Sequence, residues 1–197
     1  MNKQKLVVAT GNADKIREFT EILDAESYEI ISMQKAGIYT EVEENGSTFE
    51  ENARIKASAI ADKTDAIVVA DDSGLVIDAL GGEPGIYSSR YLGEDTPYSV
   101  KNQIILERLL DVPREERSAR FICAIVAILP DGREISVQGT IEGYIGYKPM
   151  GENGFGYDPI FYVEEYNAST ASLTSEQKNA ISHRGKALRA LRDRLSL

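Results

Sequence analysis

An apolar run at residues 6–9 stops at Thr10-Gly11-Asn12 and continues directly as an amphipathic helical stretch over residues 13–23. A buried strand that feeds a helix through a three-residue turn must pack that helix on a sheet, which commits the chain to α/β layering. Further strand-like runs fall at residues 29–32, 66–70, 75–80, 120–129, 134–147 and 159–163, and further helical periodicity at 48–63, 98–110 and 182–195. The middle of the chain turns at "PDGRE", a hairpin signal, so a mixed sheet is expected and an all-parallel one is not. The 197 residues contain no internal repeat or linker, and 42% of them are hydrophobic, enough for one domain or two lobes around a shared core.

Charge narrows the function. Thirty-two acidic against 22 basic residues leave a net charge of −10. Polynucleotide binding needs a basic surface to replace phosphate counterions, so it is excluded, whereas a few cations focused in a cleft still suit a small phosphorylated ligand. No run is long enough to span a membrane, and the apolar stretch near the N-terminus is too short for a signal peptide. A single cysteine, Cys123, lies in "FICAIVAIL" and is expected to be a buried core thiol; no disulfide can form within the chain, which fits a cytoplasmic setting.

Five stretches carry chemistry. In "ATGNADKIREF", Asn12 is suited to cap the helix, and the Thr10-Gly11-Asn12 turn presents bare N–H groups near a helix start, with Lys15 one turn in. The plain alternative is an ordinary capped helix with a solvated lysine. In "NGSTFEENARIKASAIADK", Ser47 and Glu50 read as a capping box. At about 100° per residue, Phe49, Ala53 and Ile60 then share a stripe with Lys56 in its middle and Asn52 at its edge. A lysine there either snorkels past the helix or meets an anion.

In "AIVVADDSGL", Asp71 and Asp72 are expected at the carboxyl end of a strand, where open α/β sheets place ligands, with Ser73-Gly74 in the loop beyond. Adjacent residues of an extended chain point to opposite faces, so the pair is not a symmetric clamp. One carboxylate suits a hard cation such as Mg²⁺, and the other suits orienting the loop or polarising water. Finally, "GENGFGYDPIFY" sets glycines around aromatic rings, and "SEQKNAISHRGKALRAL" places His183, the one histidine, beside Arg184 near the start of the last helix.

In this order, "ATGNADKIREF", "TFEENARIKA", "ADDSGLVIDALGGEPGIYSSRY", "GFGYDPIF" and "KNAISHRGKAL" resemble the inosine triphosphate pyrophosphatase family nearly end to end. The resemblance implies an elongated two-lobed α/β fold with a central mixed twisted sheet flanked by helices and an active-site cleft between the lobes. Residues 1–197 then form one catalytic domain, usually assembled as a homodimer. It implies Mg²⁺-dependent hydrolysis of ITP, dITP or XTP to the monophosphate and pyrophosphate. By position, Thr10, Gly11, Asn12, Lys15 and Lys56 bind the triphosphate. Asp72 is the proton acceptor and a metal ligand, supported by Asp71, and Glu43 is the second metal-site carboxylate, with Glu44 the adjacent alternative. Ser73, Phe155, Gly156, Tyr157, Asp158, Lys178, His183 and Arg184 correspond to substrate contacts. Two rival readings stand beside this one: a pyrophosphatase of other nucleotides, and a non-catalytic nucleotide sensor.

Overall fold

The computed structural model describes residues 3–23 and 27–195. Its strands are β1 (Gln4–Val8), β2 (Tyr28–Ser32), β3 (Ile67–Ile77), β4 (Ser118–Ile128), β5 (Glu134–Ile145), β6 (Phe161–Val163) and β7 (Ala168–Ser169). Its helices are α1 (Ala13–Ile22), α2 (Phe49–Ala61), α3 (Tyr98–Arg108), α4 (Ser175–Ile181) and α5 (His183–Leu195). The strands form one sheet in the order β2-β1-β3-β4-β5-β6-β7. β1 pairs in parallel with β2 and β3, whereas β5–β6 and β6–β7 are antiparallel, so the expected mixed sheet is present.

The chain forms two compact units. The first comprises Met1–Asp72, Cys123–Gly139 and His183–Leu197. Its central strands, β1, β3 and β4, are buried on both faces, and the two-residue period sorts their side chains cleanly. Leu6, Val8, Ile67, Val69, Cys123 and Ile125 pack with Phe19 of α1 and with Ala187, Leu188 and Leu191 of α5. Val7, Val68, Ala70 and Val126 face Ala53, Ala57 and Ile60 of α2. One glycine makes this packing possible: a Cβ at Gly139 would lie 2.1 Å from the His183 carbonyl oxygen, so β5 accepts the start of α5 only without a side chain there. Cys123 is buried in this core, as its surroundings in the sequence led one to expect.

The second unit comprises Ser73–Ile122 and Thr140–Ser182. Its core gathers Leu75 and Ile77, Phe121, Ile141, Phe161 and Val163 from the strands with Ile105 and Leu106 of α3 and Leu109 just beyond it. Arg117 is fully buried and acts as a cap, donating to the carbonyls of Leu109 and Val112 just past α3 and to that of Gly146 just past β5.

The structure corrects four local expectations. Residues 66–70 and 75–80 are not two strands broken at a loop. β3 runs unbroken from Ile67 to Ile77, placing Asp71-Asp72-Ser73-Gly74 within it. The acidic pair therefore sits inside the strand and not at its carboxyl end; its side chains find cationic and amide partners on both faces, so the chain has no need to turn away. The cap of α2 is Thr48, whose side chain accepts from the Glu51 N–H, while Glu51 Oε2 takes the N–H and hydroxyl of Ser47, one residue later than the Ser47–Glu50 box. α4 and β7 lie where neither was expected, because seven and two residues are too short to show a period.

Candidate functional site

The first unit holds a cluster of charges built on β3. Asn12 caps α1 as expected, accepting from the N–H groups of Asp14 and Lys15. Thr10 Oγ1 accepts from the Asn12 N–H, and Gly11 and Asn12 are exposed, so the turn presents backbone to solvent. One turn into α1, Lys15 reaches Asp71, with Nζ 3.1 Å from Oδ2. From α5, the Arg184 guanidinium donates Nε and Nη2 to the same oxygen at 3.1 and 3.0 Å, and Nη1 to Glu18 at 2.5 Å. Asp71 thus follows the parity of Ile67 and Val69, on the face that α1 and α5 cover.

Asp72 follows the parity of Val68 and Ala70 and faces α2. Asn52 donates Nδ2 to Asp72 Oδ2 at 3.2 Å, and Lys56 lies with Nζ 3.5 Å from Oδ1. Lys56 also bonds Glu44 at 3.2 Å. The cation on the apolar stripe therefore does cross into a cluster of anions, as its misplacement in the helical pattern foretold. Glu43 is exposed, and Glu44, half-buried, is the glutamate at Lys56; the extended chain turns alternate residues to opposite sides.

Two adjacent carboxylates thus titrate in opposite directions. Burial alone pushes Asp71 up, but Lys15, Arg184 and Lys56 together overcome it and hold Asp71 well below the usual carboxylate range. Burial also pushes Asp72 up; Lys56 opposes it, Glu44 adds to it, and the net result lies above the ordinary value. On Lys56, burial favours loss of the proton, yet Asp72, Asp71 and Glu44 outweigh it and raise its pKa. Burial and the neighbouring Asp71 push the Cys123 thiol up to about 12, which leaves it inert as a nucleophile.

A different cluster occupies the second unit. Asp158 is buried and accepts from Lys178 Nζ at 2.7 Å, from the Phe155 N–H at 2.9 Å and from the Thr170 hydroxyl at 2.8 Å. The Lys178 ammonium stands 4.7 Å from the centre of the Phe155 ring. Gly154 and Gly156 have φ of +72° and +68°, conformations that an ordinary side chain resists, and a Cβ at Gly154 would lie 2.2 Å from Asp158 Oδ2. Tyr157 points the other way into the core, donating to the Ser88 carbonyl at 2.7 Å and meeting Tyr98 edge-on at 5.1 Å.

Of the residues singled out in the sequence, Lys15, Lys56, Asp71, Asp72 and Arg184 gather in the first cluster, and Phe155, Gly156, Asp158 and Lys178 in the second, from which Tyr157 turns away into the core. Ser73 continues β3, half-buried, and His183 is buried at the start of α5. Arg184, in the first turn of α5, is buried and tied to Asp71 and Glu18. Two contributors were missed, and Asn52 was placed at the edge of the Lys56 stripe without a role. Glu18 stands three residues after Lys15 on one helix face, so helical spacing held a signal for it. Thr170 left none.

The donor set around Lys56 suits a small hard cation. Among the described residues no three His, Cys, Asp or Glu side chains form a metal cage. Mg²⁺ does not require one, because it keeps several waters and takes one or two carboxylates plus substrate phosphates. Asp72 and Glu44, both directed at one ammonium, offer that pair of oxygen ligands.

Comparison with known proteins agrees with this chemistry. The pattern of the Ham1 family matches residues 6–194. A dITP/XTP pyrophosphatase of Bacillus cereus is 48% identical over 196 residues, which span 98% of this chain and 96% of the relative. The solved Ham1 protein of Staphylococcus aureus superposes with a TM-score of 0.87 at 42% identity, covering 98% of both chains. A Ham1 protein from Coxiella burnetii gives 0.88 at 40% identity, again over 98% of both.

Proposed function

The chain belongs to the Ham1 family, and from that membership we propose that it hydrolyses non-canonical purine nucleoside triphosphates, dITP, ITP and XTP, to the monophosphate and pyrophosphate. It is a nucleoside-triphosphate pyrophosphatase, a hydrolase acting within nucleotide metabolism. The observation that carries the site assignment is the divided environment of Asp71 and Asp72. One carboxylate is tied to Lys15 and Arg184, while its neighbour faces Lys56, Glu44 and Asn52. Adjacent acids whose surroundings drive their proton affinities apart are suited to different roles.

In this reading Asp72 is the general base. It takes a proton from the attacking water as the water oxygen bonds the α-phosphorus and the bond from that phosphorus to the α–β bridging oxygen breaks. Asp71, held ionised by its cations, keeps Lys15 and Arg184 in place. Lys15 and Lys56 neutralise the triphosphate, and Gly11 in the exposed turn offers it a backbone N–H, those of Thr10 and Asn12 being given to the Val8 carbonyl and to Thr10 Oγ1. Mg²⁺, when bound, supplies charge neutralisation on the phosphates, and Asp72 with Glu44 would hold it. The sequence motif places Glu43 in that role, but it is Glu44 that stands at Lys56.

Phe155, Asp158 and Lys178 are assigned to the purine, while Tyr157, turned into the core with its hydroxyl on the Ser88 carbonyl, anchors their loop. Hypoxanthine and xanthine carry a 6-keto acceptor where adenine carries an amino donor, so N–H donors there reject adenine by leaving themselves unpaired. His183 and Ser73 complete the substrate contacts on this reading, and Gly156 gives the loop its turn. Both units are parts of one pyrophosphatase domain, working in the cytoplasm as a homodimer; no helix among the described residues is long and apolar enough to cross a membrane.

A turnover panel of dITP, ITP, XTP, GTP, ATP and dUTP with Mg²⁺, scored for pyrophosphate against orthophosphate, tests the assignment. Pyrophosphate release with the 6-keto non-canonical purines preferred is expected. Preference for ATP or dUTP, or release of orthophosphate, overturns it. Asp72→Asn is expected to retain nucleotide binding and lose turnover by about 10²- to 10⁴-fold, the range for a general base; undiminished turnover in that variant would remove Asp72 from this role, whereas nucleotide binding with no turnover in the unaltered protein would favour the sensor reading.

A further inference from the structure

We propose that Asn52 is a positioning residue that joins the two carboxylates of the Lys56 site, Asp72 and Glu44, acting on turnover through Asp72. The inference rests on the reading of Asp72 as general base given above. Asn52 lies one helical turn before Lys56 on α2, and both side chains reach the same aspartate. Its side chain is fully buried. An amide in such a place must satisfy both its ends.

The polarity of that amide is settled by its neighbours. Asn52 Oδ1 accepts from the Gly46 backbone N–H at 2.8 Å. A backbone N–H can only donate, so the oxygen faces Gly46 and the Nδ2 group faces Asp72, 3.2 Å from Oδ2. Asp72 therefore meets a fixed donor on one oxygen and the Lys56 ammonium near the other. The carboxylate plane is held from two sides by residues of one helix.

The same amide holds the acidic segment. A Cβ at Gly46 would lie 2.7 Å from the Glu51 Cβ and 2.8 Å from Asn52 Oδ1, so the chain comes this close to α2 only because residue 46 is glycine. Glu44, two residues earlier, bonds Lys56. Pinning Gly46 thus sets where Glu44 can reach, while the other end of the amide sets Asp72. One side chain fixes the relative placement of the two oxygen ligands and the base. Aspartate keeps the shape and the acceptor for Gly46 but turns a second carboxylate on Asp72. Leucine keeps the volume but satisfies neither end.

The test compares Asn52→Asp, Asp72→Asn and the double variant, measuring kcat and KM for dITP pyrophosphate release together with the melting temperature. Binding of Mn²⁺, followed by loss of its free-ion electron paramagnetic resonance signal, gives a readout independent of turnover. Asn52→Asp is expected to lower kcat about 100-fold with KM changed less than about threefold, an effect confined to turnover, and to alter Mn²⁺ affinity. In the double variant the amide and the carboxylate have exchanged places. Its melting temperature should recover toward wild type, while its kcat equals that of Asp72→Asn alone, because residues acting through one group are not additive. If Asn52→Asp melts below the assay temperature, Asn52→Ser, which cannot span both partners, is read the same way.

Wild-type kcat in the Asn52 variants beside an inactive Asp72→Asn overturns this inference alone, and so do losses that multiply in the double variant. A fully active Asp72→Asn overturns the reading of the base itself.

Discussion

Around Asp71 and Asp72 the protein concentrates charge, whereas around Phe155 it concentrates rings and glycines. In the first region three cations, Lys15, Lys56 and Arg184, answer Asp71, Asp72, Glu18 and Glu44 through side chains drawn from α1, α2, α5, β3 and the segment before α2. In the second, the ion pair of Lys178 with Asp158 is assisted by a backbone N–H and a hydroxyl, and the ammonium lies against an aromatic ring. On the proposed function, the difference separates two tasks. Bringing a polyanion to a nucleophile needs net charge and an ionised scaffold. Recognising a flat base needs shape, a few directed donors and a backbone able to adopt positive φ.

The sharpest way to break this comparison is to remove one cation from each region. Arg184→Met leaves Glu18 buried without its guanidinium partner and Asp71 short of one cation, a loss of about 3–5 kcal/mol by the rule for broken buried pairs. Lys178→Met leaves Asp158 with the Phe155 N–H and the Thr170 hydroxyl, so its effect on thermal unfolding is expected to be smaller. Equal or reversed losses would show that the two regions do not differ as described.

That deficit also carries a pH signature. Asp71 has a folded-state pKa below its unfolded value of about 3.9, so it contributes stability above the unfolded value that is lost as pH falls through the folded one. Arg184→Met lifts the folded pKa toward the unfolded one. Its loss of stability should therefore be greatest near neutral pH and shrink in strong acid. Unfolding free energies from urea titrations at several pH values read this directly.

A smaller effect sharpens the functional side. Lys56→Met puts an apolar side chain on the stripe formed by Ala53, Ala57 and Ile60 but takes the ammonium from the less deeply buried Asp72 and Glu44, so folding should suffer less than in Arg184→Met, while KM for dITP should rise about tenfold from loss of one phosphate-directed charge. A large fall in melting temperature with ordinary kinetics would instead make Lys56 a structural residue.

Much of this architecture is legible along the chain because its causes are local. The opening strand, its capped helix and the hairpin at residues 129–133 each depend on patterns within a few residues. The opposed directions of Asp71 and Asp72 follow from the strand period alone, and Lys56 announces itself as a cation on an apolar face. The unbroken passage of β3 through Asp71 and Asp72 was hidden, since adjacent acids followed by Ser-Gly read locally as a turn. They remain in the strand because partners from α1, α2 and α5 satisfy them.

Those partners mark the boundary of local reading. Arg184 meets Asp71 across 113 positions and Glu18 across 166, distances over which no periodicity carries information. Whether Glu43 or Glu44 turns toward Lys56 depends on how the Gly46 segment is drawn against α2. The linear code therefore specified which groups the protein would possess and which way each element would turn them. Which group meets which was left to packing, because pairing across a core is chosen by the geometry of the folded whole.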